Sequence, residues 1–261
     1  MNKKVARSFE LGIRAQFDTP LAPPIVLIGR SGIGKTAFTE SLAKALKHPF
    51  FSFEMAGKRP EDITGYAYAD LDDKVMDFLP NRMVRAIVDS RQPVVFLDEI
   101  CDLDRMMQRS VHGLLCGGRF GDYKGPKGMA LCGAGNPPDI SATGGSLAKT
   151  LATRVCQLES ELDAMDWADG NENGFPSIQT GELPTGWTSL IPQKKSIVSE
   201  FIRKFPEHVD EDASESHLPA PCPREWVHVA VYNAACEASK EMASRLPLVR
   251  GCVGEGAALK Y

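Results

Sequence analysis

Short apolar runs alternate with amphipathic stretches along the first 160 residues of the chain. Runs rich in β-branched and aromatic residues, which are typical of buried strands, occur at 25–28, 50–53, 94–97, 129–133 and 155–158. Apolar residues recur at helical spacing over 3–17, 35–46, 80–91 and 102–116. Strands that alternate with helices predict βαβ units, and therefore a parallel sheet that is covered by helices on both faces.

The composition of the chain changes between about residues 165 and 220. Gly, Pro, Asn and acidic residues dominate there, apart from one helical stretch near 195–204, and the helical pattern returns at Pro223. We therefore predict an α/β core over residues 1–160, an irregular connector with the start of a lid over 161–220, and a small helical lid over 221–261. The helical pattern is still in progress at Tyr261, so we expect a lid that lacks its last helix.

The segment GRSGIGKT, at residues 29–36, follows the first predicted strand and precedes a helix. Its glycines let backbone N–H groups point inward, and the helix N-terminus adds positive charge where phosphates would bind. In such a loop Lys35 reaches the β- and γ-phosphates, and the Thr36 hydroxyl binds Mg²⁺. An ordinary glycine-rich turn with an exposed lysine is the alternative. The predicted nucleotide-binding residues are Gly29, Arg30, Ser31, Gly32, Ile33, Gly34, Lys35, Thr36 and Ala37.

Polar side chains also follow two later strands. Asp98 and Glu99 come directly after the run at 94–97, and Asn136 lies in GAGNPP just past the next strand. Ligands of parallel sheets bind at the carboxyl ends of the strands. We predict that Asp98 holds Mg²⁺ through water and that Glu99 polarises the attacking water, which Asn136 helps to hold. A helix N-cap is the alternative for the Asp-Glu pair, and an ordinary Asn-Pro turn for Asn136.

Charge and cysteine content narrow the classes of protein further. The net charge is −4, which gives no basic field and does not favour a dedicated nucleic-acid-binding protein. The seven cysteines are scattered without a CxxC pair, so reduced thiols in the cytoplasm are favoured over a zinc site. No apolar run reaches the ~18 residues of a membrane span, and the N-terminus lacks a signal-peptide pattern. We expect a cytoplasmic protein without a membrane partner.

Several stretches together resemble the AAA+ ATPases, and among these the MoxR-like group, which is related to the dynein-type AAA modules. The stretches are GRSGIGKT at 29–36, RPEDITGYAYAD at 59–70, VVFLDEICDLDRMMQRSVHGLLCGGRFG at 94–121, GAGNPP at 133–138, LAKTLATRV at 147–155, PCPREW at 221–226 and GCVGEGAALKY at 251–261. The P-loop by itself is generic, and its combination with the other stretches is what makes the resemblance specific.

The resemblance implies roles for individual residues. Asn136 corresponds to sensor 1, and Arg154 to an arginine finger that reaches the nucleotide of a neighbouring subunit. Arg224 corresponds to sensor 2, which contacts the γ-phosphate in its own subunit, although Cys222 stands where the group usually has Ser. An arginine suits both roles because its guanidinium is always charged and forks onto two phosphate oxygens.

The resemblance also implies a fold and an assembly. The implied fold is a P-loop NTPase, with a doubly wound sheet of five parallel strands and a small α-helical lid domain. The implied cofactors are ATP and Mg²⁺. The implied assembly is a homo-oligomeric, most often hexameric, ring that acts like a chaperone by remodelling a protein client, often through a partner with a von Willebrand factor A domain.

Three functions remain open from the sequence. They are ATP hydrolysis by a ring that remodels a protein, a nucleic-acid motor or loader on the same fold, and a nucleotide-gated binding module that hydrolyses slowly. The segment 64–78 contains Tyr66, Tyr68 and Phe78 among four aspartates, and this acidity disfavours a nucleic-acid partner. We predict that Tyr66 and Tyr68 lie on a loop outside the core, facing a ring axis or a partner. The presence of Glu99, Asn136 and Arg154 disfavours a slow module.

Overall fold

The computed structural model describes residues 2–141, 145–173, 178, 180–212 and 217–261. The strands among these residues are β1 Ile25–Ile28, β2 Phe50–Glu54, β3 Tyr66–Asp70, β4 Val75–Leu79, β5 Val94–Asp98, β6 Arg119–Phe120, β7 Tyr123–Lys124, β8 Ala130–Gly135 and β9 Cys156–Glu159. The α-helices are α1 Lys3–Asp18, α2 Lys35–Ala45, α3 Glu61–Thr64, α4 Arg82–Val88, α5 Arg105–Gly117, α6 Lys149–Ala152, α7 Ala164–Asn173, α8 Ile191–Lys204, α9 Pro223–Ser239 and α10 Arg245–Lys260.

Five strands form one parallel sheet in the order β2-β5-β8-β1-β9. All five strands predicted from the apolar runs are present, each shifted by at most two residues at an end. The last residue of β1, Ile28, pairs with Gly135 on β8 and Glu159 on β9. Asp98 pairs with Glu54 at the end of β2. The carboxyl ends of the strands therefore lie along one edge of the sheet, which is where the predicted phosphate and metal ligands follow.

Helices cover both faces of this sheet, which confirms the predicted doubly wound α/β fold. Alternate strand residues point to opposite faces. Leu27 and Phe96 contribute to a core with α1, α2 and the C-terminal helices α8, α9 and α10. Val26 and Val95 contribute to a second core with helices that include α4 and α5. Because each strand is buried on both sides, its sequence is a continuous apolar run rather than an alternating one.

The C-terminal helices pack closely against the sheet. On α10, a Cβ added at Gly251 would lie 2.5 Å from the backbone oxygen of Gln157 on β9, so only glycine allows this approach. On α9, the buried Tyr232 donates a hydrogen bond of 3.2 Å to the Pro23 carbonyl, just before β1. In the described part of the chain, no helix combines the length and the apolar character needed to cross a membrane.

Helices α5 and α7 differ from the sequence pattern for an identifiable reason. Helix α5 was predicted from residue 102 and begins at Arg105, because Asp104 caps it by accepting a hydrogen bond of 2.8 Å from the Met107 N–H. Helix α7 lies in the stretch that was predicted to be irregular, where the Asp163 carboxylate accepts from the N–H groups of Met165 and Asp166. Its sequence lacks a clear apolar stripe, so periodicity gave no signal. Residues 174–177, 179 and 213–216 of the predicted connector lie outside the described residues.

Part of the predicted connector packs across helix α1. The Gly181 N–H donates a hydrogen bond of 2.5 Å to Glu10, and the Trp187 indole donates one of 2.7 Å to Asp18. Trp187 is buried in the same core as α1 and α9. This stretch therefore links the N-terminal helix to the C-terminal helices.

Two antiparallel hairpins, β3–β4 and β6–β7, are separate from the central sheet. Tyr66 and Tyr68 lie on β3, so the predicted loop is a hairpin, and both side chains remain outside the two cores. The hairpins meet where the Tyr123 hydroxyl donates a hydrogen bond of 2.5 Å to the Phe78 carbonyl.

Candidate nucleotide-binding site

The glycine-rich loop connects β1 to α2 at the carboxyl edge of the sheet. Gly32 and Gly34 have φ angles of +80° and +85°, which L side chains rarely adopt. Gly29 is enclosed by its neighbours, since a Cβ there would lie 2.2 Å from the backbone oxygen of Ser160. These three glycines let the loop fold back tightly before α2 begins, so that backbone N–H groups and the helix N-terminus face the same space. This cradle fits a phosphate chain.

The Lys35 ammonium lies across the base of the loop. It donates hydrogen bonds of 2.6 Å to the Gly29 carbonyl and 2.9 Å to the Arg30 carbonyl. Partial burial lowers the pKa of Lys35, and the carboxylates of Asp98 and Glu99 act in the opposite direction. The positive charge is thus held in a partly desolvated position, where an anionic ligand interacts with it more strongly than it would in water.

Thr36 and Asp98 meet although they are far apart in sequence. The Thr36 hydroxyl donates a hydrogen bond of 2.7 Å to the Asp98 carboxylate. A hydroxyl and one carboxylate, next to a phosphate cradle, form the kind of incomplete oxygen donor set that suits Mg²⁺, because Mg²⁺ keeps several waters and takes phosphate oxygens as further ligands. The arrangement fits the metal roles predicted for both residues.

Glu99 follows Asp98 in an unusual backbone conformation. Its φ angle is +57°, and its N–H donates a hydrogen bond of 3.0 Å to the Asp98 carboxylate. The Glu99 side chain is exposed at the carboxyl end of β5. A non-glycine residue in the left-handed region is uncommon and recurs at functional sites. The turn leaves Asp98 directed at Thr36 while the Glu99 carboxylate remains open to water.

A large cleft begins at the glycine-rich loop. Its volume is about 1540 Å³, and its walls include residues 29–33, Asn136 at the end of β8, and parts of α1 and α10. Asn136 thus lines the same cleft as the loop. The buried thiol of Cys101 packs against Gly135, where an added Cβ would lie 2.2 Å from its sulfur. Burial raises the pKa of Cys101 to about 12, so the thiol is protonated near neutral pH and serves packing here.

The cleft also includes residues that the sequence analysis missed. Arg250 on α10 lies 3.2 Å from Glu159 and 3.3 Å from Glu255, measured from a guanidinium nitrogen to a carboxylate oxygen. Ser160 has a buried hydroxyl without a hydrogen-bond partner among the described residues. Glu159 ends the last core strand and Ser160 follows it, so the rule that ligands bind at strand ends could have identified both residues. No signal in the sequence pointed to Arg250, because only the packing of α10 brings it to this edge.

Arg154 and Arg224 are not among the residues that line the cleft. Burial, followed by the positive charges of Arg154 and Arg224, lowers the pKa of His112 on α5, so both guanidinium groups are within electrostatic reach of that helix. Arg154 also donates a hydrogen bond to the Thr150 carbonyl. The contact of Arg224 with a γ-phosphate in its own chain stays a prediction, as does the reach of Arg154 to a neighbour.

We expect Gly29→Ala to destabilise the chain by about 1–3 kcal/mol, the usual cost of overpacking. The added methyl group would lie 2.2 Å from the Ser160 carbonyl oxygen, and a backbone atom at a sheet edge cannot rotate away as a side chain can. Urea unfolding followed by circular dichroism measures the change. Gly256→Ala is the control, because its Cβ would meet nothing within 4 Å. Equal free energies of unfolding for the two variants would contradict the expectation.

Comparison with known proteins agrees with this geometry. Residues 24–144 match the model of the AAA domain, dynein-related subfamily. A Lon protease of Chlamydia pneumoniae is 35% identical over 79 residues, which cover 29% of this chain and 9% of that protein. A Lon protease of Mycolicibacterium smegmatis is 42% identical over 79 residues, covering 29% of this chain and 10% of that protein. The similarity therefore spans about a tenth of these longer relatives.

A solved structure shares the fold over nearly the whole chain. The crystal structure of a candidate ATPase from Cytophaga hutchinsonii superposes with a TM-score of 0.54, at 12% identity, covering 93% of this chain and 79% of that one. At this identity the likeness concerns the fold alone. The matched model, together with the motifs at the sheet edge, identifies residues 24–144 as resembling an AAA domain of the dynein-related subfamily.

Proposed function

We propose that this chain hydrolyses ATP in the presence of Mg²⁺, and that it does so in a ring, hexameric as in the family, which remodels a protein client. The observation that carries the catalytic part is the 2.7 Å hydrogen bond between Thr36 and Asp98. It joins the end of the glycine-rich loop to the end of β5, with Lys35 and Glu99 at the same edge. The match of residues 24–144 to an AAA domain supports this function at the level of the family.

Each residue has a defined task in this proposal. The Lys35 ammonium exchanges its two carbonyl partners for oxygens of the β- and γ-phosphates, while backbone N–H groups of the loop bind the same chain of phosphates. Thr36 and Asp98 hold Mg²⁺, which when bound neutralises charge on the phosphates. Glu99 accepts a hydrogen bond from the attacking water and draws its proton away, and Asn136 orients that water from the neighbouring strand end.

The placement of the two arginines supports an assembly. Arg154 is partly exposed, and Arg224 is exposed. In the proposal, a second subunit receives the Arg154 guanidinium. Arg154 thereby completes the site of the neighbour, and Arg224 contacts the γ-phosphate in its own subunit. A partner with a von Willebrand factor A domain would deliver the client, as in related systems.

We further propose that the ring works in the cytoplasm. All seven cysteines are free thiols, which is typical of proteins in reducing compartments.

Lys35→Ala should weaken ATP binding by at least about 30-fold, because it removes a partly buried charge that contacts the phosphates, a loss of about 2 kcal/mol or more. Titration with a fluorescent ATP analogue measures the dissociation constant. Lys44→Ala, on the exposed side of the same helix, removes an equal charge and should bind as the wild type does. If Lys35→Ala retained wild-type affinity while remaining folded, the assignment of the phosphate site would be wrong.

A further inference from the structure

The β3–β4 hairpin exposes apolar side chains on both of its faces. Residues paired across an antiparallel hairpin share a face. One face carries Tyr66, Tyr68, Val75 and Leu79 with Asp70 and Asp77, and the other carries Ala67, Ala69, Met76 and Phe78. Tyr66 is 50% exposed and Met76 is 65% exposed, while Leu71 at the tip is 83% exposed. The hairpin therefore presents exposed apolar side chains on both faces and at its tip.

Little within the chain supports this hairpin. It forms a two-stranded sheet of its own, and such a hairpin alone is marginally stable in water. Its contacts lie near its base, where Tyr123 donates to the Phe78 carbonyl and Asn81 donates to the Asp62 carbonyl. Exposed apolar patches rimmed by polar groups mark sites of protein contact. We therefore expect another molecule to cover the hairpin when the protein works.

The charges on the hairpin indicate the chemistry of the molecule that covers it. Asp70, Asp72, Asp73 and Asp77 are accompanied by one basic residue, Lys74. None of the four aspartates forms an ion pair within the part of the chain that the structure describes. Their local hydrogen bonds come from neutral N–H groups and from the Tyr68 hydroxyl. The negative charge is therefore uncompensated beside the exposed apolar side chains.

We propose that the β3–β4 hairpin binds a protein segment in which lysine or arginine residues alternate with apolar residues. An extended segment points successive side chains to opposite sides. Added as a strand at an edge of this two-stranded sheet, such a segment can place its apolar groups on the face of Met76 and Phe78 and its basic groups on the face of Asp70 and Asp77. Acidic segments and nucleic acids are repelled by the same charges. This inference rests on the proposed function, because it names the class of client segment that the ATPase would engage.

Binding of synthetic peptides to the full chain tests the proposal. The probe is a short fluorescein-labelled peptide in which lysine alternates with valine, measured by fluorescence anisotropy. One companion peptide has glutamate in place of lysine, and another has serine in place of valine. We expect the lysine–valine peptide alone to bind well and its affinity to fall as salt is added, because salt screens exposed charges. Equal binding of the glutamate–valine peptide would overturn the proposal.

Variants locate the binding to the hairpin. Combined Asp70→Asn, Asp72→Asn, Asp73→Asn and Asp77→Asn substitutions keep oxygen acceptors for the local hydrogen bonds but remove four charges. Affinity for the lysine–valine peptide should fall by about tenfold or more, as expected for several exposed ion pairs. The control, Asp169→Asn with Glu172→Gln, removes charge from exposed positions on α7 and should leave the affinity unchanged. Unchanged binding by the hairpin variant would also overturn the proposal.

Two parallel measurements separate this inference from the proposed function. Titration with the fluorescent ATP analogue tests the nucleotide site, and failure there combined with selective peptide binding would remove the ATPase proposal and leave the hairpin site standing. Sedimentation tests whether the hairpin docks on a second copy of the chain. If the hairpin variant lost its oligomeric state but kept its affinity for the peptide, or if single-stranded DNA bound as well as the peptide, the inference would be wrong.

Discussion

Glu99→Gln should bind ATP with wild-type affinity and hydrolyse it about 10²–10⁴-fold more slowly, the range that a positioned general base contributes. The amide keeps the size and hydrogen-bonding capacity of the carboxylate but loses the charge that draws a proton from water. Lys35, Thr36 and Asp98, which bind the phosphates and Mg²⁺ in the proposed mechanism, are untouched. Single-turnover phosphate release, together with titration of a fluorescent ATP analogue, separates the two effects.

The control for this prediction lies at the neighbouring strand end. Glu54 is exposed and pairs with Asp98 across the sheet, so Glu54→Gln removes the same charge nearby without touching the attacking water. It should hydrolyse ATP normally. Near-normal turnover in Glu99→Gln would show that another residue is the general base. Asp102 and Asp104 would be tested next, although Asp104 already caps α5 and Asp102 bonds to Ser141.

Arg154→Ala should leave ATP binding intact and reduce turnover by about 10³–10⁵-fold, the contribution of an arginine finger to phosphoryl transfer. In the proposed assembly, Arg154 acts on the nucleotide of a neighbour. Activity per chain of the wild type should therefore rise with protein concentration as subunits meet. Arg109→Ala is the control, since Arg109 is exposed on α5 and has no assigned role.

Mixing two inactive variants tests the trans arrangement directly. At an interface where a Glu99→Gln chain supplies Arg154 and an Arg154→Ala chain supplies Glu99, one complete site is rebuilt. Partial recovery of hydrolysis is expected in the mixture. If intact assemblies of mixed chains never exceed the sum of the separate variants, Arg154 does not act in trans. Arg119 on the β6–β7 hairpin would then be the next candidate.

The polar residues at the ends of the core strands could be predicted, because an apolar run marks each strand and a functional side chain follows it. Each buried strand is a continuous apolar run, and Lys35, Asp98 and Asn136 follow three of these runs closely. Parallel strands bring their carboxyl ends to one edge by construction, so residues that are distant in sequence were expected near one another. The 2.7 Å contact between Thr36 and Asp98 has the same origin.

The apolar periodicity of the sequence did not predict α7 or the start of α5, because a single N-cap side chain decides where each of these helices begins. Helix α7 has little apolar stripe, and α5 starts three residues later than its apolar pattern does. In both places an aspartate satisfies the free N–H groups at a helix start, and a window that averages hydrophobicity over several turns does not register one side chain.

The sequence by itself determined the nucleotide-binding loop, the strands that flank it and the residues at their ends, since these depend on short motifs and on the geometry common to parallel sheets. Tertiary structure alone decided that Arg250 reaches Glu159 and that Tyr66 belongs to an exposed hairpin. These positions depend on how whole helices and hairpins pack. That packing is the sum of many weak contacts between residues far apart in the chain, and no local stretch of sequence encodes it.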